Sequence, residues 1–247
     1  MELLEKKLEE LTRTKALFGL KIEFEAQGAS LVEVEFLEKL AKKYNTNFSV
    51  KISGPEAIRD LKDIKNMNLY SIIAPLIESP YALKKFTQSV KKVFENDTPN
   101  LEINIESIVG FQNLDEIVKS DAFKELSGIK IGRSDLANSV GLNREFVNSN
   151  DVLAISSKIS SKIESEGLDL TLGGGVSIET LDFAKKMPYL TKIETRNVVL
   201  KYTDDENLKK AINLALEFEI LLIENKKNFG LTLNKNDLER IKLLNTR

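Results

Sequence analysis

The chain has 247 residues, with 36 Lys and Arg against 38 Asp and Glu, a formal net charge of −2, and neither Cys nor His. Such a balance gives no electrostatic footprint for nucleic acid, and the missing Cys removes disulfides, thiolate metal sites and cysteine nucleophiles. The missing His removes Ser-His-Asp triads, imidazole bases and His-ligated zinc, so acid–base chemistry falls to carboxylates, Lys, Arg, Tyr or water.

Residues 2–15 set Leu3, Leu4, Leu8 and Leu11 on one side of an amphipathic helix. This start is charged at helical spacing and has no uninterrupted apolar core of a secretory signal. No apolar run approaches the roughly 20 residues needed to span a bilayer. The expectation is a cytoplasmic protein with no membrane partner.

"LFGLKIEF" (17–24) reads as a strand ending in the polar "EAQGAS", followed by a helix over 31–44. "FSVKISG" (48–54) is the next strand, and its helix is expected after "SGPE", with Pro55 in the first turn. "YSIIAPLI" (70–77) leads to a helix opened by Pro80, and "LEINIES" (101–107) to a helix in "NLDEIVKSDAFKEL". "GIKIG" (128–132), a helix near 150–165, "LDLTLGGG" (168–175), a helix in "SIETLDFAKKM" and one long strand, "LTKIETRNVVLKY" (190–202), follow. A long helix over about 205–227 and a shorter one from about Asn236 close the chain.

Strands and helices alternate with short loops, which argues for parallel βαβ units in one α/β domain over 1–247. The count is seven strands where a TIM-type (β/α) barrel needs eight. The expectation is therefore a barrel with an irregular strand, with an open doubly wound sheet as the alternative. Residues 1–16 form an N-terminal helix, and 203–247 a helical extension for packing or homo-oligomer contact.

Polar residues gather at the strand ends: Glu23, Glu25 and Gln27; Lys51 and Ser53; Glu78 and Ser79; Glu106 and Ser107; Arg133 and Asp135; Gly173, Gly174 and Gly175; Arg196 and Asn197. In a parallel barrel these ends share the face that hosts active sites. Asn104 and Glu106 alternate with Ile103 and Ile105, so they share a face. Buried there, Glu106 needs a partner. With Asp135 it suits Mg²⁺ or Mn²⁺; the other solution is an ion pair with Arg133, Arg196 or Lys51. The three glycines before a helix start can present backbone N–H groups to a phosphate or carboxylate, or simply make a turn. No P-loop or dinucleotide fingerprint is present.

"INIESIVGFQNLDEI" (103–117), "IKIGRSDLANSVGL" (129–142) and "SIIAPLIESPYAL" (71–83) together resemble segments of HpcH/HpaI-type aldolases and citrate lyase β-like proteins. The resemblance implies a TIM barrel of the phosphoenolpyruvate/pyruvate type. It implies metal-assisted making or breaking of a C–C bond next to a 2-oxo acid through a metal-stabilised enolate. Glu106 and Asp135 match the family's ligands for Mg²⁺ or Mn²⁺, and Lys51 most nearly matches its enolate-steadying Arg. The family's acid–base His has no counterpart, which leaves Glu25 as the candidate base, with Gln27 beside it as a substrate-binding residue. Arg133 stands where the family usually has Pro, and is expected to place a cation at the site entrance, where it or Lys51 stabilises the enolate. With Arg196, Asn197 and Gly173–Gly175 it is expected to bind an anionic partner such as a phosphorylated or acidic sugar. The alternatives are a catalytically altered barrel serving as a binding or regulatory subunit, and a phosphoenolpyruvate-using enzyme of the same scaffold.

Overall fold

The computed structural model describes residues 1–95, 97–203 and 206–246. Among these, eight strands close into a barrel in sequence order: β1 (Leu17–Glu23), β2 (Asn47–Lys51), β3 (Ser71–Ala74), β4 (Asn100–Ile105), β5 (Gly128–Gly132), β6 (Asp169–Gly173), β7 (Lys192–Glu194) and β8 (Val198–Lys201). β1 through β7 run parallel, while β8 is antiparallel to both β7 and β1.

The single strand expected over 190–202 is thus a hairpin, and it supplies the eighth strand. Its turn holds only Arg196 and Asn197 between Thr195 and Val198, whose backbones exchange a 2.9 Å hydrogen bond from Thr195 N–H to the Val198 carbonyl. The pair lacks the Asn-Gly or Asp-Gly signature of a two-residue hairpin, so the run reads as continuous.

The helices are α1 (Glu2–Arg13), α2 (Leu31–Lys43), α3 (Ile58–Ile64), α4 (Pro80–Phe94), α5 (Ile108–Gln112), α6 (Leu114–Lys119), α7 (Arg133–Ser139), α8 (Asn150–Glu166), α9 (Thr180–Ala184), α10 (Glu206–Glu224) and α11 (Lys235–Leu244). Short 3₁₀ turns cover 121–125, 144–146 and 225–229. α4 starts at Pro80 with Ser79 accepting from Ala82 N–H, as Pro at the first helical position predicts. α3 does not start at Pro55: the segment turns first, Asp60 accepts from Ser53 N–H, and the helix begins at Ile58. The helix expected over 113–126 is broken at Ser120 into α6 and a 3₁₀ turn.

Strand alternation divides the barrel wall. Leu20 and Ile22, Val50, Ile72, Ile103 and Ile105, Ile129 and Ile131, Leu170 and Leu172, and Leu200 face the helices and join one apolar core. The opposite face carries Lys21, Ser49, Glu102, Lys130, Thr171 and Glu194, all buried. Inside the barrel, Glu194 receives Lys21 at 2.6 Å and Lys130 at 2.8 Å, and Lys130 lies 3.4 Å from Glu102. Ser71 donates to Glu102 at 2.6 Å. Two cations and two carboxylates neutralise one another there. Burial alone would raise the Glu194 carboxyl, but Lys130 and Lys21 hold it down to about 2.

The reversed β8 decides where the chain goes next. Lys201 lies beside Ala16, at the start of β1, so the chain leaves the barrel at its lower end. The 19 residues of α10 span about 28 Å, packing on α1 and β8. The chain returns to the upper face, where Lys226 reaches Glu33 in the first turn of α2 at 3.4 Å and Asp237 of α11 at 2.9 Å. The C-terminal extension therefore ends beside the mouth of the barrel. Among the described residues no helix is long and apolar enough to cross a membrane.

Candidate active site

A cleft of about 220 Å³ opens at the C-terminal ends of the parallel strands. It brings together Glu25, Lys51, Glu106, Asp135, Gly173–Gly175 and Arg196. These residues come from segments spread over more than 170 positions, and only the barrel makes them neighbours.

Glu106 directly follows β4 and is almost completely buried. Its Oε1 accepts from Leu76 N–H at 3.0 Å; its Oε2 accepts from Asn104 Nδ2 at 2.8 Å and lies 3.5 Å from Lys51 Nζ. Leu76 adopts φ 49°, a left-handed conformation uncommon for a non-glycine residue, and its N–H serves Glu106 from that conformation. Gly132 makes the approach of β5 possible: a Cβ there would stand 2.5 Å from Glu106 Oε2 and 2.7 Å from its Cβ.

Burial pushes the Glu106 carboxyl above its ordinary value; Lys51 opposes the shift and Asp135 adds to it. Asp135 sits in the first turn of α7 with its side chain exposed at the mouth. It too is raised, first by loss of water within the cleft and then by Glu25 and Glu23, against the pull of Lys51. Lys51 also lies 2.7 Å from Glu25. Burial would lower the Lys51 pKa, but Glu106, Glu23 and Glu25 together hold it well above the ordinary value. Lys51 is therefore held as an ammonium.

Two buried oxygens beside these carboxylates, Asn104 Oδ1 and Ser134 Oγ, have no partner among the described residues, and both residues line the cleft. Unpaired buried acceptors of this kind mark room for a further donor or a cation. Among the described residues, no group of three or more His, Cys, Asp or Glu side chains is placed to hold a metal ion. A divalent cation would rest on Glu106 and Asp135 and complete its shell with water and substrate oxygens, the usual arrangement for Mg²⁺. The donor set fits such an ion.

A model of the HpcH/HpaI aldolase/citrate lyase family matches residues 41–172, just over half of the chain. The chain belongs to this family. Among solved structures, an HpcH/HpaI aldolase/citrate lyase family protein from Burkholderia cenocepacia J2315 is similar in fold at TM-score 0.61 and 13% identity, over 76% of this chain and 82% of that one. Citrate synthase SbnG is similar at TM-score 0.59 and 15% identity over 90% of each chain. RipC from Yersinia pestis is similar at TM-score 0.55 and 17% identity, over 78% and 86%. No curated protein sequence matches. The HpcH/HpaI family is one of aldolases and lyases, whose members typically use a divalent metal.

Within this family barrel Arg133 is the main correction. It does not reach the entrance. Its side chain turns under the cleft wall, fully buried, with Nε donating to the Gly173 carbonyl at 3.1 Å and Nη2 to Thr180 Oγ1 at 3.2 Å. Nη1 donates to Asn148, and the guanidinium lies 4.9 Å from the Phe183 ring centre. Arg133 ties α7 to β6, the loop before α8 and α9, because the helix begins at Arg133 itself and points that side chain backwards into the layer between strands and helices.

Asn197 and Gln27 bind each other at 3.2 Å, and Asn197 also donates to the Lys21 carbonyl; neither lines the cleft. Gly174 owes its identity to packing: its φ is 77°, and a Cβ would strike the backbone nitrogens of Arg133 and Ser134 at 2.6 and 2.5 Å. Ser79 and Ser107 cap α4 and α5, and Glu78 accepts from Ser107. The floor residues Lys21, Lys130 and Glu194 were legible in the alternation of "LKIE", "IKIG" and "KIE". Arg144 and Arg240 also line the cleft, and nothing in the pattern around either one marks it.

Proposed function

We propose that this chain makes or breaks a carbon–carbon bond next to a 2-oxo acid, with a divalent cation held by Glu106 and Asp135. The observation that carries the reading is the pairing of these two carboxylates in one cleft, each raised in pKa, beside unpartnered oxygens of Asn104 and Ser134. When bound, the cation supplies Lewis-acid polarisation of the oxo acid.

The other parts belong to the chain. Lys51 keeps its positive charge, so it can lie against negative charge that develops on the substrate oxygen without giving up its proton. Asn104 holds Glu106 in one orientation from the neighbouring position on the same face of β4. Glu25 is partly exposed at the cleft wall and touches Lys51, which makes it the residue we assign to carry the proton between substrate and solvent. The ammonium of Lys51, displaced from Glu25 toward the reacting oxygen, would free that carboxylate to accept.

Calorimetry with Mn²⁺ and pyruvate or oxalate tests the site. Mn²⁺ should tighten binding of the acid by wild type, and Glu106→Gln should lose that enhancement. Equal affinity with and without metal in wild type would sink the assignment. A panel of aldehydes offered with pyruvate, with products read by mass spectrometry, then identifies the partner. The absence of any His favours one second reading, a barrel that binds an oxo acid without turning it over. Metal-dependent binding with no product across the panel would select it.

A further inference from the structure

Three arginines meet at the mouth of the cleft from three separate parts of the chain: Arg144 from the 3₁₀ turn after α7, Arg196 from the β7–β8 turn and Arg240 from α11. We propose that they form an anion subsite for the far end of the partner substrate, a carboxylate or phosphate group carried by the molecule that reacts with the 2-oxo acid. This deepens the function proposed above and rests on the cleft being the active site.

The first support is an unused donor. Arg240 is about nine-tenths buried, and its Nε is held by Glu219, itself fully buried, at 2.6 Å. Its Nη1 is buried and has no partner among the described residues, on a side chain that lines the cleft. A buried guanidinium nitrogen without an acceptor is costly and calls for a ligand.

The second support is charge. Arg196 is 3.1 Å from Glu23 and Arg240 is held by Glu219, but Arg144 makes no ion pair among the described residues. Loss of water and then the nearby charges of Arg240 and Arg196 lower its guanidinium pKa, while Glu219 and Asp135 oppose the shift. Six cationic side chains and five carboxylates line the cleft as a whole. Glu194 is taken up by Lys21 and Lys130 on the floor and Glu23 by Arg196, and Asp135 is the carboxylate of the cleft lining that acts on Arg144. An anion among the arginines would relieve their repulsion, and the planar fork of guanidinium matches carboxylate and phosphate oxygens in pairs.

The third support is the path of the chain. The reversed β8 and the length of α10 return the chain to the upper face, and Lys226 is anchored there by Glu33 and Asp237. Arg240 is thereby fixed in position. The helical extension that the sequence assigns to packing thus contributes a side chain to the site.

The test uses the full chain without divalent metal, so that its outcome is independent of the Glu106–Asp135 reading. Wild type, Arg144→Gln and Arg240→Gln are titrated calorimetrically with inorganic phosphate and with succinate. Each substitution should weaken binding about tenfold or more, as expected for losing a charged hydrogen bond. Arg144 is exposed and makes no ion pair among the described residues, so its variant keeps the test valid should Arg240→Gln disturb folding by stranding Glu219. In the second arm, aldehydes of matched length ending in a carboxylate, a phosphate or an uncharged group are offered with pyruvate and Mn²⁺. A preference for either charged end that collapses in Arg144→Gln, with the uncharged aldehyde unaffected, supports the subsite and says which anion it takes. Equal binding of both anions by wild type and Arg144→Gln would overturn the proposal.

Discussion

Replacing Lys51 with Met removes the ammonium that faces Glu106 and preserves most of the side chain's length. The pair is 3.5 Å apart, with Lys51 and Glu106 side chains only 6% and 2% exposed, so solvent screens it little. At an effective dielectric of 20, Coulomb attraction at that distance is about 5 kcal/mol. Breaking a buried pair from one side costs about 3–5 kcal/mol. Glu106 keeps hydrogen bonds from Asn104 and Leu76, which places the cost near the lower end. The second contact, to the more exposed Glu25, adds little.

The expected loss at pH 8 is therefore about 3 kcal/mol, or about 6–12 °C in Tm for a chain of this size. The pH dependence is the sharper readout. A carboxyl whose folded pKa is raised favours folding below its unfolded pKa, and that contribution is lost as pH rises through the folded value. Glu106 is already raised by burial, and losing Lys51, which opposes that shift, raises it further. The variant should be hurt most at pH 8 and recover toward wild type near pH 5, as Glu106 takes up a proton. Urea unfolding at pH 5, 6.5 and 8 measures this, and Lys51→Met combined with Glu106→Gln should remove the pH dependence. A loss below about 1 kcal/mol, or one equal at pH 5 and 8, would refute the argument.

Glu194→Gln should behave in the opposite way. Its carboxyl is depressed to about 2, so the stability it contributes is present above its unfolded value of 4.5 and lost only as pH falls toward 2. The variant should lose about 3–5 kcal/mol evenly across pH 5–8 in the same urea series. Gly132→Ala forces a Cβ against Glu106 and should cost about 1–3 kcal/mol, with weaker Mn²⁺ binding by calorimetry because Glu106 must move. Arg133→Met should lower Tm, since it removes the donor to Asn148 and to the Gly173 carbonyl at about 1–3 kcal/mol for each group left unpaired, while Thr180 keeps the Ser177 N–H. Its affinity for pyruvate with Mn²⁺ should fall much less than in Glu106→Gln, because the Arg133 side chain does not itself line the cleft. A large loss of affinity would return Arg133 to the site.

The alternation of strands and helices, the family segments and the placement of Glu106 and Asp135 at strand ends are all local patterns, and they could be read along the chain. Apolar residues recur at the period of each element, and a strand end must be where polar residues begin. The same logic made Lys51, Glu25 and Arg196 candidates, and the barrel brings them into one cleft.

What the chain alone did not decide depends on contacts distant in sequence. The β7–β8 turn has no Asn-Gly or Asp-Gly pair, so only closure of β8 against β1 reveals that the run folds back. Arg133 and Asp135 are two positions apart, yet one is buried behind the wall and the other faces the cleft, because α7 begins between strand and helix layers. Arg240 lies far from every strand end; it reaches the mouth only because an antiparallel last strand sends α10 back along the barrel. Periodicity determines which residues can share a face, whereas the direction of the final strand decides which charges meet.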